Sequence, residues 1–135
     1  MGMFPHTITV LNKVLKDDDV VYFPSVLMGT LFVRLAASSK STTGLDPSNT
    51  VKVTIPMSVK SQKSFISSLQ YAELSEEEKR GFFTLKEDDI IVKGKVDLDE
   101  ISLEVINSNY EEKMVIKSVD TFDFGNLQHW QVGGA

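Results

Sequence analysis

Alternation of apolar and polar side chains is the strongest signal along this chain, and it is clearest at Val51-Lys52-Val53-Thr54-Ile55-Pro56. A period of two puts Val51, Val53 and Ile55 on one face of a strand and Lys52 and Thr54 on the other. Pro56 has no N–H to give a ladder and ends it. The same period recurs at Thr7-Ile8-Thr9-Val10-Leu11, with Ile8 and Val10 inward. Asp17-Asp18-Asp19 separates that run from Val20-Val21-Tyr22-Phe23, so a hairpin turn is expected there. Pro24 should interrupt a central ladder. Val26 to Val33 then reads as a nearly continuous buried strand, with Gly29 marking a bulge or a close backbone approach; a short helix is the rival reading.

Further along, Phe65, Ile66, Leu69, Tyr71 and Leu74 have a spacing that fits either a weak helix or an extended arm. Ser75 and Glu78 have capping-box spacing, which predicts a helix of one or two turns stopping near Gly81. Phe82-Phe83-Thr84-Leu85 and Ile90 to Gly94 read as two strands of a hairpin, with Lys86-Glu87-Asp88-Asp89 as its solvated turn. A short helix begun by Asp97 or Asp99 is expected to run into a strand before a turn at Asn107-Ser108-Asn109. Met114, Val115, Ile116 and Val119 place apolar groups on both faces, as in a central strand. The stretch MVIKSVDTFDFGNLQHW, from Met114 to Trp130, then closes the fold with an aromatic and glycine corner.

The fold class expected is therefore mainly β with one or two short helices, a small β-barrel or sandwich-like single domain over residues 1–135. A long Ser/Thr-rich loop is expected at residues 38–50, and a C-terminal tail segment at residues 125–135. A chain of 135 residues is long enough to bury a core unaided, and 41% hydrophobic with 24% charged residues is an ordinary globular composition. No apolar run is long enough to cross a bilayer, and Met1 to Val10 lacks the pattern of a signal peptide, so no membrane partner and synthesis in the cytoplasm are expected. The absence of cysteine excludes disulfides, thiolate metal ligands and cysteine nucleophiles.

Net charge is −5 and unevenly spread. Lys52, Lys60 and Lys63 stand in an acid-free stretch from Val51 to Gln70, whereas Tyr71 to Ala135 holds fifteen acidic residues against seven basic ones. That balance argues against a broad basic face for nucleic acid and suits the docking of unlike protein faces.

Candidate chemistry is thin. The acids at 17–19 lack the alternate spacing and later Glu of a calcium loop, and the 38–50 stretch lacks the glycine spacing of a phosphate loop. Ser118, Asp120, Asp123, His6 and His129 include no nucleophile-elbow motif, and two distant histidines make no zinc set. No catalytic, cofactor or metal site is expected, and the chain reads as a non-enzyme. An unfamiliar active site would instead bring His129, Asp120 and Asp123 together in one pocket.

Four segments in order carry a resemblance: PHTITVLNK, then TVKVTIP followed by SVKSQKSF, then GFFTLKEDDIIVKG, then SVDTFDFGNLQHWQVGG. Together they resemble a family of small virion structural proteins of phages and prophages of Gram-positive bacteria. More distantly they resemble the head-closure proteins (stoppers, head-tail connectors) at the phage neck. The turn Glu87-Asp88-Asp89-Ile90 lacks the glycine of that distant pattern. The resemblance implies a small barrel without catalytic residues, made in the host cytoplasm and built into the virion neck as a ring of copies against portal, adaptor or tail proteins. It implies passive contact at most with DNA passing a channel, and no sequence-specific nucleic-acid binding. The residues expected at contacts are Lys40, Thr43 and Leu45 in the long loop, Lys52, Lys60 and Lys63 facing an acidic neighbour, and Phe124, His129 and Trp130 near the C-terminus. A tail-completion or terminator subunit and a host-directed protein-binding module are the alternative functions.

Overall fold

The computed structural model describes residues 4–35, 50–59 and 61–135. Its first element is a long hairpin of β1 (His6–Lys16) and β2 (Asp19–Leu35), as the acidic break at 17–19 predicts. Asp17 and Asp18 both take positive φ, at 53° and 69°. Two such residues make the turn whose twist matches that of paired strands, and aspartate tolerates the left-handed region better than most side chains.

Around the hairpin, six strands close a barrel in the order β1, β2, β3 (Thr50–Pro56), β8 (His129–Gly134), β7 (Lys113–Phe122) and β6 (Ile90–Lys93). All neighbouring pairs are antiparallel. The expected β-barrel is thus the fold adopted.

Two strands form the corners. Opposite the step from His6 to Thr7, Gly29 sits unpaired at φ 89°, a bulge at the place its glycine predicts. Beyond it β2 leaves β1 and pairs with β3 from Leu31 to Leu35. His6 holds this corner: its carbonyl accepts from Thr30 Oγ1 at 2.9 Å, and its Nδ1 accepts the Phe32 N–H at 2.9 Å. β7 turns in the same way, pairing first with β6 and then, past a register shift between Ile116 and Ser118, with β8.

Pro24 does not interrupt β2, contrary to expectation. It lies opposite Leu11, and its carbonyl accepts from the Lys63 ammonium, so that side of its backbone faces away from β1. The proline nitrogen faces the same way, where no ladder needs a donor.

The barrel interior is filled by Ile8, Val10, Leu27, Phe32, Val51, Val53, Ile55, Ile91, Met114, Ile116 and Val132, with Phe83, Leu85 and Trp130. Burying each such large side chain stabilises the fold by about 1.5–3 kcal/mol before chain entropy is counted. Val51, Val53 and Ile55 point inward and Lys52 outward, as the alternation requires. Outside the β1–β6 face, Leu11, Tyr22, Ile90 and Val92 pack against Val96, Ile101 and Ile106, the last from α3 (Leu103–Asn109). A third cluster joins Val14 and Phe23 to Tyr71 of α1 (Ser68–Ala72), with Ile66 and Phe82 against it.

Other expectations need correction. Phe82–Phe83 is β5, but it pairs in parallel with β4 (Ser64–Phe65) and not with Ile90–Lys93, which lies between β1 and β7. The ambiguous 65–74 segment therefore yields both a strand end and a helix. α1 and α2 (Glu76–Lys79) each begin with a complete capping box, Ser67/Gln70 and Ser75/Glu78. With α3 the described residues hold three short helices, one more than expected. α3 starts at a Ser102 cap rather than at Asp97 or Asp99 and takes in the expected turn at 107–109, and between β6 and β7 the only strand-like pairing among the described residues is the bridge of Ile101 to Tyr22. The 125–135 segment is not a tail, because β8 lies between β3 and β7 and closes the barrel. Residues 38–49 of the long loop lie outside the described residues.

Candidate functional site

Three sets of side chains stand out. The first is at the β7–β8 end, where Phe122 and His129 face each other across the strands. Their rings stack at 4.9 Å with planes 19° apart, and Phe124 lies 6.3 Å from Phe122. Phe124 is 70% exposed and Leu127 is also exposed. His129 Nδ1 is 3.0 Å from the Leu127 carbonyl, so the ring is used locally. Trp130 follows His129 but points to the other face of β8, as strand alternation demands. There it is buried in the barrel core, 4.4 Å from the Phe65 ring.

The second set lines an open groove of about 1210 Å3 beside the first half of β2. Pro24, Val26 and Met28 form one wall, and Lys63, Lys95 and Leu98 are among the residues of the other. Burial pushes the Lys63 ammonium below the ordinary lysine range, and Arg80 adds to that. At the rim, Arg80 Nη2 meets Glu100 Oε1 at 2.9 Å and Glu76 Oε2 at 3.6 Å, and Lys16 Nζ reaches Glu100 at 3.1 Å and Glu76 at 3.5 Å. Hydrogen bonds from Arg80 and then Lys16 hold the Glu100 carboxyl below its usual range. The Arg80 guanidinium also lies 4.3 Å from the centre of the Phe23 ring. These exposed pairs orient the rim more than they stabilise it.

The third set is internal. Asp89, expected in a solvated turn, is fully buried. Its carboxylate accepts from Asn12 Nδ2 at 2.7 Å, the Lys13 N–H at 3.1 Å and Lys86 Nζ at 2.6 Å. Asn12 also donates to the Thr84 carbonyl at 2.8 Å and accepts the Thr84 N–H at 3.2 Å. Burial raises the Asp89 carboxyl above the ordinary aspartate value of 3.8, and the Lys86 contact opposes that shift. The bonds of Asn12 and Lys13 tie β1 to Thr84 and Asp89, and Lys86 balances the buried carboxylate from within the 84–89 segment, which makes the set a structural clasp.

Of the contact residues expected from sequence, Phe124 and His129 come together through Phe122. Trp130 is withdrawn into the core. Lys52 stands exposed on β3, and Lys63 lies in the β2 groove with its head on Pro24. Lys40, Thr43, Leu45 and Lys60 lie outside the described residues. Neither the β2 groove nor a smaller one beside α3 is lined by Asp120, Asp123 or His129. Sequence reading missed the groove, although the alternation of charge and apolar groups in KGKVDLDE, residues 93–100, marks one of its walls.

Comparison with known proteins adds one relationship. No curated protein and no solved structure matches the chain. A family model matches it over residues 3–135, and the chain belongs to that family, the family of unknown function DUF6751.

Proposed function

We propose that this protein is a non-enzymatic structural subunit of a phage virion, a barrel that acts at the head-tail interface as one copy in a ring. The observation that carries the reading is the β7–β8 end, which exposes Phe124 and Leu127 beside a Phe122–His129 stack. An exposed aromatic beside an apolar neighbour is the kind of group that anchors a protein partner. The four segments that resemble virion proteins supply the setting, and the small closed barrel is the scaffold that resemblance implies. In this reading Phe124 and His129 meet the neighbouring virion protein, and Lys52 adds a positive charge to an acidic one.

The test is location. Electron microscopy of purified particles carrying a labelled copy of this chain should place it at the neck, in a symmetric ring. Native mass measurement with portal, adaptor and tail components should show association with at least one of them. Particles that lack the chain altogether would overturn the virion role and favour a host-directed binding module.

A further inference from the structure

Two stretches of barrel strand have one side without a backbone partner among the described residues. On β2, Tyr22 bonds outward to Ile101, and the Pro24 carbonyl faces outward to Lys63. The same parity turns the N–H and C=O groups of Val26 and Met28 away from β1, while β3 begins to pair only at Leu31. On β7, the parity follows from β8. The Met57 N–H donates to the Gln128 carbonyl, so Pro56 and His129 form an open pair and His129 bonds toward β7. Phe122, Asp120 and Ser118 therefore bond to β8, and the N–H and C=O groups of Val119 and Thr121 face outward beyond the reach of β6.

The two edges match. Each is a window of two outward residues at i and i+2, and each has an exposed apolar neighbour: Met28 and Leu98 in the groove, Phe124 at the end of β7. They lie on different strands, so neither can satisfy itself by two-fold pairing with its own kind and leave the other satisfied.

We propose that the β2 edge at Val26 and Met28 receives the β7 edge at Val119 and Thr121 of a second copy, joining barrels head to tail by strand addition. This rests on the ring reading above and names the surface that would build the ring. Main-chain hydrogen bonds supply the attraction, and burial of Phe124 against Met28 and Leu98 fixes the fit. Pro24 and the Tyr22–Ile101 bridge block the rest of the β2 edge, which limits the register to one short window.

The chain has no cysteine, so cross-linking is clean. The double variant M28C/T121C, treated with a short bismaleimide, should give a ladder of dimer, trimer and higher species, and neither single variant should. In sedimentation, V26P and T121P should each lose all species above monomer, and an equal mixture of the two should form dimers and stop there. If V26P or T121P fails to fold, the cross-linking ladder still decides. Efficient dimers from a single-cysteine variant, or monomer only and no ladder at high concentration, would overturn the proposal. Because these experiments use the purified chain, edge pairing can fail while the chain is still found in particles, or hold while particles lack it.

Discussion

Asn12 and Asp89 share a buried hydrogen bond of 2.7 Å although 77 residues separate them. Asn12 sits inside β1 with its side chain wholly consumed, and Asp89 holds three donors in a place where water does not reach. Replacing Asp89 by alanine leaves the Asn12 amide and the Lys13 N–H buried without their acceptor. A loss of about 3–5 kcal/mol is expected, because removing one member of a buried charged set uncovers the others. Urea unfolding of the variant measures it. A midpoint unchanged from wild type would show that the clasp contributes nothing.

The pH dependence has two opposed parts. Because the folded Asp89 carboxyl lies above 3.8, its contribution is fully present below that value and is lost as pH rises through the folded value. Glu100 runs the other way. Its folded value lies below 4.5, so its contribution is present above 4.5 and is lost as pH falls through the folded value. Thermal melts across pH 3–7 should therefore show Asp89→Asn flattening a decline on the neutral side and Glu100→Gln flattening a decline on the acid side. Parallel profiles for wild type and both variants would contradict this.

Trp130 and Phe124 are six residues apart and should behave as opposites. Trp130→Ala opens the barrel core, and a loss of about 3–5 kcal/mol is expected. Phe124→Ser touches a side chain that already lies in water, so a change within about 0.5 kcal/mol is expected. Chemical denaturation of the two variants side by side separates a core anchor from a surface one.

At Gly134, an added Cβ would run into the Val115 carbonyl and the end of the Met114 side chain. β8 and β7 approach here as closely as their backbones permit. Gly134→Ala should cost about 1–3 kcal/mol through overpacking, with the obstacle a main-chain atom that cannot swing aside. Gly133→Ala meets only the Ser118 hydroxyl and should cost less. Equal melting temperatures for the two variants would refute the ordering.

Tyr71 gives the contrary case. Its ring is buried against Val14 and Phe23, and its hydroxyl has no hydrogen-bond partner among the described residues. Burial pushes its ionisation well above the ordinary tyrosine value. Tyr71→Phe removes a polar atom that gains nothing, so stability should hold or rise, by at most about 1–3 kcal/mol. A clear loss in denaturant unfolding would point to a bond that the hydroxyl makes elsewhere.

These residues also show what a linear reading can and cannot reach. The 51–56 strand, the acidic hairpin turn, the Gly29 bulge and the Ser75 cap are local problems, solved by periodicity and φ preference within a few residues, and they were legible. Asp89 was not. Glu87, Asp88 and Asp89 look alike in sequence, and only the distant Asn12 selects one of the three for burial. The parallel β4–β5 pair was hidden for a related reason, since two-residue strands leave no period to read. At the β7–β8 end, the aromatic corner was visible, but the division of labour between Trp130 and Phe124 depends on which face of β8 each occupies. That face is set by pairing with β3 some seventy residues earlier.

The position of β8 between β3 and β7 has a consequence for how the molecule is made. During synthesis β1, β2 and β3 can pair as each emerges, and β6 can join β1, but one gap in the wall stays open until His129–Gly134 has left the ribosome. Until that moment β3 and β7 both carry raw edges, and the groups that will contact Trp130 and Val132 face an unfinished interior. The last of the six barrel strands to appear is therefore the one that turns an aggregation-prone sheet into a closed wall. A nascent chain arrested before Phe124 should be far more sensitive to protease, and more readily held by chaperones, than one in which Gly134 has emerged.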